Sequence, residues 1–399
     1  MNGKPSLALL ACGLLAWALA ARAAEVPLAV PVEGAPFRGQ FTGAGSDWNL
    51  RFADGDARRD MPAADLATWG AFVEPARGIY LIPSGGGVIV VDNVRIQNEQ
   101  LIGASPTFGN LSLPIEAVAG IIFRPPPQVA ARDKLVARVL APGGRSDRLL
   151  LENGDELTGT ITTDGNRVVL KTDTDPWEVK IDTLRAIMFN PTLVDKPRAS
   201  GLRSVVGFRD GSRVTAVELT TDGDVTRLKL AGGIALAAPT ASIVALEVFG
   251  GRALYLSDVE PSSYRHIPYL QLSWPYQADR SVKGSQLRAG GRVYLKGLGM
   301  HSPSRLTYDL DQTYRRFDAH VAIDDDSEQR GSVVFRVFVD DGSGQWQERA
   351  ASAVIRGGQP PVPISVDLDG VKRISLLVDF ADRGDELDHA DWLDARLVR

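Results

Sequence analysis

Four aromatic side chains and two histidines in the last third of the chain are of the types that could hold a sugar. They are Trp274 and Tyr276 in the run Trp274-Pro275-Tyr276, Trp346, Trp392, His301 and His389. A pyranose ring has an apolar face that a flat aromatic ring covers, and hydroxyls that bond to planar polar groups such as imidazole or carboxylate. Trp346 sits among Ser343, Gly344, Gln345, Gln347 and Glu348, so its surroundings mark it as the most exposed of the four aromatics. Trp392 lies between Asp391 and Leu393 in an expected strand, where core packing competes with sugar contact. His301 follows Gly297-Leu298-Gly299, a pair of glycines that permits a tight turn, and a structural histidine is the competing reading there.

Two acidic clusters could supply oxygen ligands. One is Asp385, Glu386, Asp388 and Asp391; the other is Asp324-Asp325-Asp326 with Glu328. Calcium takes six to eight oxygens, so Asp385, Asp388 and Asp391 are candidates for a structural Ca²⁺, against the alternative of a solvated acidic turn. Neither cluster has EF-hand spacing. No His-Glu-x-x-His, Gly-x-Ser-x-Gly or Walker sequence is present, and the single cysteine, Cys12, lies in the N-terminal apolar run. Non-catalytic binding is therefore expected. A glycoside hydrolase, whose two carboxylates come from distant strands, is the weaker class, as is an accessory subunit of one.

These residues need strands to position them. Seven of the eight tyrosines and all four histidines lie beyond residue 254. Val333, Phe335, Val337 and Val339 alternate on one strand, and Ile374, Leu376, Val378 and Phe380 on another, which is the pattern of a sandwich. Before them, residues 35–250 repeat weakly. Two degenerate copies occupy 35–125 and two clearer ones 146–250, marked by Asn153-Gly154, Asp164-Gly165, Asp210-Gly211 and Asp222-Gly223 and by endings at Phe72, Phe123, Phe189 and Phe249. The copies are expected to be small five-stranded units of SH3 or Sm type. The periodicity leaves open whether they are separate barrels or one continuous sheet. A connector at 126–145 contains Pro125-Pro126-Pro127 at its start and a short helix over Ala130 to Leu140, with Leu135, Val136, Val139 and Leu140 on one face. The fold class is thus all-β.

Residues 1–24 read as a secretory signal. Lys4 supplies the charge, Ser6 to Ala20 the apolar stretch, and Ala18-Leu19-Ala20 or Ala21-Arg22-Ala23 the cleavage site. Export follows, to periplasm, cell surface or medium, with no membrane span after cleavage. The net charge of −5 and the lack of a dense Lys/Arg block exclude a nucleic-acid partner.

The run Lys296-Gly297-Leu298-Gly299-Met300-His301-Ser302-Pro303-Ser304-Arg305-Leu306-Thr307-Tyr308-Asp309-Leu310 resembles the signature of NPCBM domains. Arg316 to Asp324, Gly331 to Asp340 and Asp388 to Trp392 agree with that family in order, as do Tyr255 to Asp258 and Asp279 to Val282 at its start. The resemblance covers 255–399 and implies a galactose-binding-like jelly roll that holds glycan; it mildly favours calcium. It does not reach the repeats, which could instead bind a protein partner as an envelope scaffold.

Overall fold

The structure is a computed structural model that describes residues 26–164, 167–171, 176–195, 197, 200–268 and 272–399. The expected signal sequence and Gly165 of the Asp164-Gly165 turn lie outside the described residues.

Four stretches of the N-terminal region end in the same way, with one turn of 3-10 helix followed by a strand. The pairs are Ala63–Asp65 with Leu66–Gly70, Ile115–Ala117 with Val118–Ile122, Ile181–Thr183 with Leu184–Met188, and Thr240–Ser242 with Ile243–Phe249. The closing strands are short and apolar, and each finds a second neighbour in another copy. Val118–Ile122 pairs with Leu184–Met188, placing Ile121 opposite Ile187. Ile243–Phe249 pairs with Leu66–Gly70, placing Leu246 opposite Trp69. Gly87–Val91 joins the two halves by pairing with the start of Arg213–Asp222. Although 40–62 and 93–114 form two three-stranded sheets of their own, the remaining strands of the copies join one continuous sheet. It runs through 16 strands among the described residues, and no copy closes into a barrel. An apolar edge strand left unpaired would expose its backbone groups and its side chains together, so joining edges removes both liabilities.

The connector helix spans Val129–Leu140 and lies on this sheet. Leu135 and Val139 pack on Tyr80, Ile82, Val90, Ile122 and Met188, whereas Leu140 stays exposed. Gly120 permits the approach: a Cβ there would stand 2.7 Å from Val139 Cγ1 and 2.2 Å from the Ile187 carbonyl oxygen.

The C-terminal region is a two-sheet sandwich. One sheet orders Gln277–Ala278, Gly297–His301, His389–Val398, Arg316–Ile323 and Val362–Asp367, with Ala253–Tyr255 beside the far half of His389–Val398. The other orders Ser263–His266, Ser304–Asp309, Arg373–Phe380, Ser332–Asp340 and Gln347–Ala351. Val333, Phe335, Val337, Val339, Ile374, Leu376 and Val378 fill the space between, as their alternation predicts; Phe380, at its strand's end, is exposed.

The strand His389–Val398 is buried along its whole length. Ala390 and Trp392, then Ala395 and Leu397, face the sandwich core. The change of phase occurs at Asp394, which takes φ 50°, where the register with Arg316–Ile323 also shifts. The opposite face is covered by other parts of the chain: Leu393 by the hairpin residues Leu287 and Ala289, and Val398 by Val32 and Ala67 of the first repeat. Polar contacts extend this joint. Arg316 Nη2 donates to the Val32 carbonyl at 2.8 Å, and Arg252 pairs with Glu33 and Asp65. Val293 forms an isolated bridge with Phe72.

Candidate functional site

His301 and His389 end adjacent strands and stand directly opposite each other in register. His266 ends the nearest strand of the other sheet, so three of the four histidines meet at one rim of the sandwich. Trp274 lies flat on the His301 ring, with centroids 4.9 Å apart and planes 4° apart, and 6.0 Å from His389. His266 meets His301 edge-on at 5.9 Å. Gly299 lets a neighbouring segment lie against the His301 strand, because a Cβ there would be 2.3 Å from the Arg280 carbonyl oxygen.

Hydrogen bonds fix the state of these rings. The Trp274 backbone N–H donates to His266 Nδ1 at 3.3 Å, which puts the His266 proton on Nε2, a buried atom facing the Ser302 backbone. His301 Nδ1 donates to the Ser302 carbonyl at 2.9 Å, leaving Nε2 as an acceptor. His389 Nδ1 meets Asp326 Oδ1 at 2.6 Å. Burial pulls the pKa values of His301 and His266 below that of a free imidazole, so both are neutral at neutral pH. A half-buried indole with a neutral acceptor beside it is what a hydroxyl-bearing ring requires.

Tyr276 stands next to this cluster as a brace. It packs on Tyr264 at 5.2 Å, and the Tyr264 hydroxyl donates to the Trp274 carbonyl. The other two aromatic candidates are elsewhere. Trp346 lies apart from this cluster, with the guanidiniums of Arg305 and Arg373 4.6 and 5.0 Å from its ring centroid. Trp392 is fully sealed in the core, 5.1 Å from Phe335 and edge-to-face with it, which removes it from the binding candidates. His266 was missed from the sequence; its one signal is that it shares this domain with the other histidines.

The expected calcium ligands do not converge. Asp388 is spent on the Ser302 hydroxyl and the Ser332 amide, the latter at 2.7 Å, and burial raises its pKa to about 6. Asp391 is buried on the opposite side, against the carboxyl of Asp324, and is pushed well above the usual carboxylate range. Asp324 in turn accepts from the Arg288 and Asp326 amides. Asp385 is half-exposed in the preceding turn. Among the described residues, no three His, Cys, Asp or Glu side chains are grouped to hold a metal. Asp388 and Asp324 serve as internal hydrogen-bonding posts for loops, and Asp385, Asp388 and Asp391 do not converge, which corrects the calcium reading.

Residues 252–398 match the family described as NPCBM/NEW2 domain, and this part of the chain is a domain of that family. Two curated relatives align with it. One is alpha-1,3-galactosidase B of Akkermansia muciniphila, 32% identical over 120 residues. The other is a Renibacterium salmoninarum protein with the provisional name endo-alpha-N-acetylgalactosaminidase, 32% identical over 115 residues. Each alignment takes in 29% of this chain, but only 14% and 7% of the respective relatives. Among solved structures, CBM51-2 with GlcNAc and INT domains from Clostridium perfringens ZmpB is 27% identical, covering 46% of this chain and 40% of that one, with a TM-score of 0.33. CBM51 from Clostridium perfringens GH95 with methyl-galactose is 24% identical, covering 37% of this chain and 99% of that one, with a TM-score of 0.32. What the chain shares with its two curated relatives is this domain alone.

Proposed function

We propose that the chain is an exported glycan-binding protein whose sugar contact is the rim formed by Trp274, His266, His301 and His389. The observation that carries this reading is the half-buried Trp274 indole stacked on the neutral His301 imidazole at the sandwich rim. The indole covers the apolar side of a pyranose, and the His301 imidazole takes a hydroxyl as acceptor. Neutral rings suit this task because binding then demands no stripping of water from a charge. The N-terminal sheet carries and orients the module. A galactoside leads the choice of ligand, because the Akkermansia relative with the aligned domain is named a galactosidase.

The test is calorimetric titration of the full chain with methyl galactoside and N-acetylhexosamines, backed by a broad glycan array. Trp274→Ala is expected to weaken binding at least about tenfold, equivalent to about 1.4 kcal/mol. Trp346→Ala is expected to leave it within about twofold. Equal binding by folded Trp274→Ala and the unaltered chain would remove the rim from consideration. A blank array would remove the glycan reading itself.

A further inference from the structure

Between the repeats and the sandwich lies a cavity of about 170 Å³. Its wall is drawn from three parts of the molecule: Glu74, Arg213 and neighbouring strands of the sheet, Arg132 and Asp133 of the helix, and Arg280, Gln286 and Arg288 of the C-terminal domain. Four guanidiniums therefore face two carboxylates, and both carboxylates are already committed. Glu74 is bridged by Arg132 and by Arg288 Nε, the latter at 2.5 Å. Asp133 takes the fork of Arg288 at 2.6 and 3.1 Å and also accepts the Gln286 amide at 2.9 Å. Among the described residues Arg280 donates only to the neutral Gln286 side chain, at 3.1 Å. Among the described residues the Arg213 guanidinium has no hydrogen-bond acceptor and no ion-pair partner.

A guanidinium held at a domain joint without an acceptor in hydrogen-bond reach is costly even with Asp133 and Glu74 nearby, since both are tied to other arginines, and it stays charged because nothing in a protein deprotonates it. Desolvation pulls the Arg213 pKa down, the nearby carboxylates of Asp133 and Glu74 push it back up, and Arg280 and Arg288 lower it further. What the wall lacks is two or three oxygen acceptors carrying negative charge. The volume is below the roughly 300–1,000 Å³ of a drug-sized pocket, which restricts the occupant to a small species.

We propose that this interdomain cavity binds a small oxyanion, held mainly by Arg213 and Arg280. The chemistry is that of a carboxylate, sulfate or phosphate group meeting planar forks, the geometry guanidinium favours. Such a ligand touches both halves of the chain at once, so its binding free energy adds to the stability of their docked arrangement. The site is separate from the Trp274 rim and uses none of its residues.

The test uses the full chain, with sodium sulfate, inorganic phosphate, glucuronate and neutral glucose as probes at ionic strength matched with chloride. Thermal unfolding is expected to shift upward saturably, by a few degrees at high probe concentration, with at least one of the three anions and not with glucose. Sulfate or phosphate alone would identify a free inorganic anion as the source; glucuronate alone would identify an acidic sugar. Arg213→Gln is expected to weaken the response about tenfold, and Arg213→Lys to retain part of it. Arg280→Gln is the second variant, in case Arg213→Gln does not fold. Galactoside titration in these variants is expected to match the unaltered chain, which separates this site from the rim. No anion-specific shift over chloride, or an equal shift in folded Arg213→Gln and Arg280→Gln chains, would overturn the proposal.

Discussion

At the scale of single residues, the two tryptophans first set side by side as sugar platforms have opposite roles to Trp274. Trp392 fills the sandwich core against Phe317 and Phe335, so Trp392→Ala is expected to cost about 3–5 kcal/mol, read by chemical denaturation. Trp346 lies under two guanidiniums at the surface, and its removal should cost about 1 kcal/mol or less. Sequence neighbours misled for a physical reason. Polar residues around Trp346 describe the hairpin it sits on, whereas what covers its ring comes from Arg305 and Arg373, on two other strands. The alternation of Trp392 with Ala390 was a real core signal. The meeting of Trp274, His266, His301 and His389 could not be read from spacing, since it depends on strand register and on which segment crosses the rim. The neutral histidines carry a pH consequence. Because burial lowers the His266 and His301 pKa values, acidification below the free-imidazole range must charge rings that the fold keeps neutral. Glycan binding, measured by calorimetry, is expected to hold steady at and above neutrality and to weaken progressively below about pH 6.5.

At the scale of elements, the alternating strands and the glycine turns were legible because each is a local pattern. Asp222-Gly223 does make a tight hairpin, with Asp222 opposite Val225 and Gly223 at φ 56°. The short helix was also legible from its 3.6-residue spacing, and only its contacts were not. Its seat on the sheet depends on Gly120, so Gly120→Val is expected to force Val139 and the Ile187 strand apart. A loss of about 2–4 kcal/mol by chemical denaturation would match overpacking combined with a broken strand pairing; a change under about 0.5 kcal/mol would show that the helix is not held there. The joining of repeats into one sheet was not legible, because pairing between closing strands is set by which edges remain free after each copy has formed.

At the scale of the whole molecule, the acids form a pH-sensitive frame. Burial raises Asp324, Asp388 and Asp394 to about 6, and pushes Glu247 and Asp391 well above the carboxylate range. The folded state therefore binds more protons than the unfolded chain between about pH 4 and 6, and stability from these groups falls as pH rises through that window. Asp318, Asp326 and Asp340 work the other way, as their depressed pKa values withdraw stability only at lower pH. His266, His301 and His320, whose pKa values burial lowers, withdraw stability as pH falls below about 6.5 and oppose the acids in that window. The melting temperature is therefore expected to decline clearly only above about pH 6, where Glu247 and Asp391 still lose protons, as read by calorimetric scans. Asp394 faces Glu247 across the joint between sheet and sandwich, so their mutual repulsion on ionising concentrates the loss there.

The strand His389–Val398 has no outdoors. One side belongs to the sandwich and the other to the hairpin and the first repeat, so a cut placed ahead of residue 252 would lay Val398 and its neighbours bare. The severed module would then carry an apolar seam at the end of that strand, where Val32 and Ala67 had covered Val398, and two such pieces could meet along it.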